Sequence, residues 1–117
     1  MVVRVSKMKK VDLSVEFVDE NGDITFAVLF AGVMTRHNIY AKRISAIDSR
    51  PAEDYIKVKK EDVSLDQNVT SVYDHLGVTH YSISVPDEVG LNDPRIISVS
   101  NRDPIITEVD NFVAKCN

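Results

Sequence analysis

The sequence predicts an α+β fold: a mainly antiparallel sheet built on an N-terminal β-hairpin, with a C-terminal amphipathic helix and one shorter helix. Two stretches carry that prediction. They are the pair of strand-like runs from Val11 to Met34, joined at Asn21-Gly22, and the apolar stripe behind Asp103-Pro104. A third observation constrains the rest: the second run is apolar on both faces, so a layer must cover each.

In the first run Val11, Leu13, Val15 and Phe17 alternate with Asp12, Ser14 and Glu16, the period-two pattern of a strand with one buried and one wet face. Asn21 and Gly22 both tolerate positive φ, so they read as the two-residue loop of a type I′ turn, with Glu20 facing Asp23. That loop sets Phe17 opposite Phe26, Val15 opposite Val28 and Leu13 opposite Phe30, apolar against apolar. In the second run Ala27, Leu29, Ala31 and Val33 make the other face apolar as well. One helix cannot cover both sides. The second cover must come from another helix, from curling of the sheet or from another copy of the chain.

Residues 39–47 fit two readings, since Tyr40, Ala41, Ile44 and Ile47 have helical spacing while their composition and context suit a third strand. Pro51 ends either one. Tyr55, Ile56, Lys57, Val58 and Lys59 alternate as a short strand whose lysines suit an edge, where charge discourages pairing with other chains. A shorter helix is expected from Asp66, an N-cap, with Val69, Val72, Tyr73 and Leu76 on one face and Gly77 closing it. Thr79, Tyr81, Ile83 and Val85 then alternate with His80, Ser82 and Ser84 in a strand stopped by Pro86, and 96–99 is a short last strand. Asp103 and Pro104 suit the cap and first residue of the final helix. Its stripe is Ile105, Ile106, Val109, Phe112, Val113 and Cys116. The run Asn92-Asp93-Pro94-Arg95-Ile96-Ile97 is echoed at Asn101-Arg102-Asp103-Pro104-Ile105-Ile106, too short a match for a structural repeat.

At 117 residues one domain, 1–117, is expected, with 1–10 as a basic N-terminal arm or the start of the first strand. That arm carries Arg4, Lys7, Lys9 and Lys10, so a net charge of -4 leaves the remainder of the chain at -8. A body of that sign argues against nucleic-acid binding. The one cysteine excludes an internal disulfide, no apolar stretch follows the N-terminal charges, and no run is long enough to span a bilayer. A cytoplasmic protein with no membrane partner is expected.

Motifs that tie chemistry to spacing are missing. Gly22, Gly32, Gly77 and Gly90 are scattered singly, whereas a phosphate-cradling loop needs them clustered; no cofactor is expected. Asp19-Glu20-Asn21-Gly22-Asp23 is too short to wrap oxygen ligands round calcium, and no zinc spacing occurs, so no metal is expected. His37, His75 and His80 could act as acid or base, oriented by Asp74 or Asp48, though a lone histidine is more often structural. Cys116 lies on the apolar stripe and reads as packing. Arg36, Arg43, Arg50, Arg95 and Arg102 fall at or near loops, where a bidentate anion clamp is built; Arg36, His37, Arg95 and Arg102 are the candidate ligand-binding set.

Three functional readings follow. Small size, acidity and the absent motifs favour a non-enzymatic interaction protein, inhibitor or immunity-type, that binds a partner protein, with Glu53, Asp54, Asp87 and Glu88 as its charges. The alternative is an oligomeric binding protein for a phosphate-bearing small molecule or nucleotide. A small histidine-dependent hydrolase or transferase is least favoured, so the balance is against an enzyme. The two-sided second strand also points to self-association as a homo-oligomer.

Overall fold

The computed structural model describes residues 8–44, 54–65 and 78–116. They form an α+β fold: a 7-stranded mixed sheet and one C-terminal helix. The strands are β1 (Lys9–Val18), β2 (Ile24–Met34), β3 (Asn38–Arg43), β4 (Tyr55–Lys59), β5 (Ser64–Leu65), β6 (Thr79–Pro86) and β7 (Ile96–Ser98), followed by α1 (Ile105–Cys116). Their order in the sheet is β5-β6-β1-β2-β3-β4-β7. The sheet departs from the antiparallel expectation at one pair, because β6 lies parallel to β1 with Val11 beside Thr79 and Val15 beside Ile83. The shorter helix expected from Asp66 lies outside the described residues, as do Glu53, His75 and the side chain of Cys116.

β1 and β2 pair in the register set by their apolar pattern, Phe17 opposite Phe26 and Leu13 opposite Phe30. The connection differs from the expected type I′ turn. Gly22 takes a φ of +82° while Asn21 does not enter the left-handed region. The loop is three residues, Glu20-Asn21-Gly22, closed by Asp19 N–H donating to the Asp23 carbonyl at 2.9 Å and Gly22 N–H donating to the Asp19 carbonyl at 2.9 Å. The cause is the Asp19 carboxylate, whose Oδ1 accepts from the N–H groups of Asn21 and Asp23, each at 2.9 Å, and holds a right-handed turn that Gly22 alone must reverse. The longer loop shifts Val18 opposite Ile24, and a bulge that skips Thr25 restores the register at Phe26. The two departures cancel, so the apolar ladder is unchanged.

The first part of the ambiguous stretch 39–47 belongs to strand β3, paired to both β2 and β4, while 45–47 lie outside the described residues. The expected edge at β4 is a correction: Ile56, Lys57 and Val58 pair with β7 on the far side. Three residues of β7 were too short a signal to show that this strand would be covered.

Both faces of β2 are covered over its second half, by different means, while on the helix side Ala27 stays exposed and Leu29 half-buried. On one face Val11, Leu13, Val15, Phe17, Val28, Phe30, Ile39, Ile56, Val58, Ile83, Val85 and Ile96 form one buried cluster drawn from six strands. No described residue of α1 belongs to it; Leu91 of the short 3-10 turn at 90–92 packs at its margin, and the sheet covers the rest of this face by curling on itself. Following the ladder from β7, Ile96 is level with Val58, Ile39, Met34 and Lys9. Yet Arg95 reaches the carbonyl of Ser84, which is level with Glu16. The ends of the sheet therefore meet with the stagger that tilted strands in a barrel require. On the opposite face Ala31 and Val33 pack with Val109, Phe112 and Val113 of α1. Burying each of these larger side chains contributes roughly 1.5–3 kcal/mol.

Asp103 caps α1 through its Oδ1, which accepts the Ile105 N–H at 3.1 Å. Asp93 makes the same turn over Pro94, its Oδ1 accepting the Arg95 N–H at 2.9 Å. The sequence echo is thus one aspartate turn over proline used twice, before β7 and before α1. Tyr55 fastens the helix to the sheet: its hydroxyl donates to Asp110 Oδ1 at 2.7 Å, a bond that pushes the phenol up to about 12. No helix among the described residues is long and apolar enough to cross a membrane.

Curling demands a close approach at β2–β3, and Gly32 provides it. A Cβ at this position would collide with the Tyr40 carbonyl oxygen and come within 2.6 Å of the Ala41 Cα, both backbone atoms that cannot swing aside. A glycine inside a strand marks such an approach. Gly32→Ala should therefore cost about 3 kcal/mol or more in chemical denaturation. Gly22→Ala, which meets nothing within 4 Å and strains only φ, should cost about 1 kcal/mol. Equal losses at the two sites would contradict this role for Gly32.

Candidate functional site

Three places in the fold concentrate charge or polar chemistry. The first is a row across the parallel pair. Asp12 and His80 are paired residues of β1 and β6, and Ser14 lies one alternation further along β1. Ser14 Oγ and His80 Nε2 are 3.0 Å apart, and His80 Nδ1 lies 3.5 Å from Asp12 Oδ2. All three residues are buried, at 6%, 7% and 5% exposure for Ser14, His80 and Asp12. An ionised carboxylate can only accept. The tautomer that satisfies the row thus places the ring proton on Nδ1, leaving Nε2 to accept from the Ser14 hydroxyl.

That polarity is the order of nucleophile, base and orienting acid in a serine hydrolase. The setting differs, because the hydroxyl stands buried on a regular strand, where no substrate carbonyl can approach. What the row does is fix β1 against β6: a one-residue slip would turn these polar groups into the apolar cluster and Leu13 and Ile83 out of it. Sequence reasoning singled out His80 but read Asp12 and Ser14 as a wet face. The signal was present in the matched polar positions of the two strands, though only the parallel alignment brings them together.

The second place is a basic cleft at the end of β2. Arg36 and His37 of the β2–β3 turn, Asn38, and Lys57, Lys59, Lys60 and Glu61 line a cleft of about 740 Å³. Lys60 N–H donates to the His37 carbonyl at 2.9 Å, which ties the turn to the end of β4. Glu61 is the one carboxylate among the described lining residues and lies 3.9 Å from Lys59 in an exposed pair.

The third is an acidic cleft at the opposite end of β2. Val18, Asp19 and Glu20 of the hairpin, Pro86 at the end of β6, and Asp87 and Glu88 after it line about 450 Å³. Among the described residues no cation is in that lining. Ile24, paired with Val18, is 57% exposed beside it.

The expected arginine set is divided. Arg36 and His37 share the basic cleft with Lys60 and with Lys57 and Lys59, the two lysines expected to guard an edge strand. Arg102 lies exposed in the turn before α1, its N–H donating to Ser100 Oγ at 3.2 Å. Arg95 is held elsewhere, at the seam of the sheet. Its Nε and Nη2 donate to the two Asp93 carboxylate oxygens at 3.0 Å each, and Nη2 also donates to the Ser84 carbonyl at 2.8 Å. The guanidinium holds the Asp93 carboxyl below its ordinary value of 3.8, against a smaller opposing effect of burial. Among the described residues no group of three His, Cys, Asp or Glu side chains is placed to hold a metal ion. No family model, curated protein or solved structure matches the chain.

Two measurements test the structural assignments. His80→Leu leaves the Ser14 hydroxyl and the Asp12 carboxylate buried without the imidazole and should cost about 3 kcal/mol, whereas Ser14→Ala should cost about 1 kcal/mol. A change of under about 0.5 kcal/mol in His80→Leu would show that the row does not hold the strands.

Because the folded-state value of Asp93 is lowered, its pair with Arg95 stabilises the fold fully above the ordinary carboxylate value and loses that contribution as pH falls through the lowered one. Arg95→Ala should lower the urea midpoint at neutral pH, and the gap to the parent should narrow as pH drops below 3.8. A gap that widens in acid would contradict the pairing.

Proposed function

We propose that this protein is a non-enzymatic interaction module that binds a protein partner through the charged ends of its strands, the acidic cleft foremost. The observation that carries the reading is the convergence of Asp19, Glu20, Asp87 and Glu88 on one cleft, with no cation among its described lining residues, around Val18 and Pro86. Charged groups surrounding an apolar centre are the arrangement by which interfaces gain association rate and choose partners. Two of the carboxylates, Asp87 and Glu88, belong to the set expected from the sequence; Asp54 is exposed at the start of β4 and is not in that lining. An inhibitor that covers a basic site on its target fits this surface, and a cytoplasmic setting suits it.

The basic cleft supports a second reading, a site for a phosphate-bearing small molecule. Arg36, Lys57, Lys59 and Lys60 supply cations, and the cleft volume suits a ligand of that size. The hydrolase reading draws support only from the Ser14–His80–Asp12 order, and the burial of Ser14 weighs against it.

Native mass spectrometry of the chain purified gently from its own host cells tests the choice. The interaction reading predicts a retained protein partner, and Asp87→Lys/Glu88→Lys should slow its association about tenfold at low salt. A bound mass of a few hundred daltons, removed by Arg36→Ala/Lys59→Ala and unaffected by the acidic variant, would replace it with the second reading.

A further inference from the structure

We infer that the acidic cleft of one copy of this chain receives the basic cleft of another, so that the protein assembles head to tail along its strand direction. The inference rests on reading the charged ends as binding surfaces and names the partner. Its first support is position. The acidic cleft lies at the ends of β1 and β6, level with the start of β2 through the pairing of Val18 with Ile24, and the basic cleft follows the end of β2. β2 has 11 residues, which at about 3.3 Å each places the clefts roughly 35 Å apart. Salt screens exposed charges over about 10 Å at 0.1 M, so the two ends do not satisfy one another within one chain.

The second support is complementarity. Three exposed carboxylates, those of Glu20, Asp87 and Glu88, stand at one end beside the turn-bound Asp19, and four basic side chains, Arg36, Lys57, Lys59 and Lys60, stand at the other with Glu61 as the described carboxylate among them. The third is an apolar contact at the acidic end, where Ile24 is 57% exposed, the most open of the large apolar side chains among the described residues. Such an exposed residue beside paired charges gives an interface its dry centre, with the aliphatic stems of the lysines to lie against it. A surface that joins unlike ends is heterologous, so each added copy presents the same two free ends again. The clefts lie at opposite ends of the strands, and the series therefore grows and does not stop at a two-fold dimer.

The test is sedimentation velocity of the full chain over a range of concentrations. At low salt the mass should rise beyond two subunits with concentration, and it should fall to a single subunit at about 0.5 M salt, where screening is nearly complete. Glu20→Gln/Glu88→Gln and Lys57→Gln/Lys60→Gln each remove one end; each should remain single alone, and their mixture should form a one-to-one pair through the intact ends. Circular dichroism identical to the parent shows that both variants fold. Assembly that persists in either variant alone, or a mixture that stays single, overturns the inference. A parent chain that is single at every concentration overturns it too. If that chain still retains a different protein in the native spectrum, the interaction reading stands without self-assembly; if it retains none, both fall.

Discussion

The structure depends on one requirement, that a long strand apolar on both faces be covered twice. β2 meets it asymmetrically. α1 lies over Ala31 and Val33, and the other face is enclosed by the sheet itself, from Tyr81 and Val85 of β6 round to Ile96 of β7. Enclosure by curling needs a place where two strand backbones can approach more closely than side chains allow, and Gly32 is that place. It also needs a fastening where the sheet ends meet. Arg95 supplies it by donating to Asp93 on its own segment and to the Ser84 carbonyl of β6. A bidentate pair to a carboxylate serves well there because its planar geometry sets direction as well as distance.

The consequence for function is that closing the sheet sorts charge to its two ends. The apolar positions of β1, β2, β4 and β6 are consumed by the interior and by the helix. Charge clusters remain at the two ends: Asp19, Glu20, Asp87 and Glu88 at one, and at the other Arg36 and Lys60 with Lys57 and Lys59 of β4. The polar row of Asp12, Ser14 and His80 belongs to the fold in this account. It sets the single parallel pair in register, and that pair brings the end of β6 beside the hairpin tip and so builds the acidic cleft.

Much of this was legible in the chain because it follows from local patterns. The strand periodicity of β1, β2 and β6, the cap at Asp103 and the stripe of α1 are properties of neighbouring residues. The hairpin register was legible too, although the turn was not. Asn21-Gly22 is compatible with a two-residue loop, and only the hydrogen bonds of the Asp19 carboxylate decide for three residues and the bulge at Thr25. What stayed hidden depends on distant partners. The lysines of β4 look like edge guards until β7 is known to pair beyond them. Asp12 looks wet until His80 is placed against it. Arg95 looks like a free anion clamp until Ser84, eleven residues away in sequence, closes on it.

The most direct measurement is zero-length carbodiimide coupling of carboxylates to amines in an equal mixture of ordinary and nitrogen-15-labelled chain at low salt. Mass spectrometry then separates links between copies from links within one. The account predicts that links between copies join Glu20, Asp87 or Glu88 to Lys57, Lys59 or Lys60, and that they vanish at high salt. Links between copies through other surfaces, or their absence at concentrations where every exposed carboxylate reacts with an added amine, would contradict it.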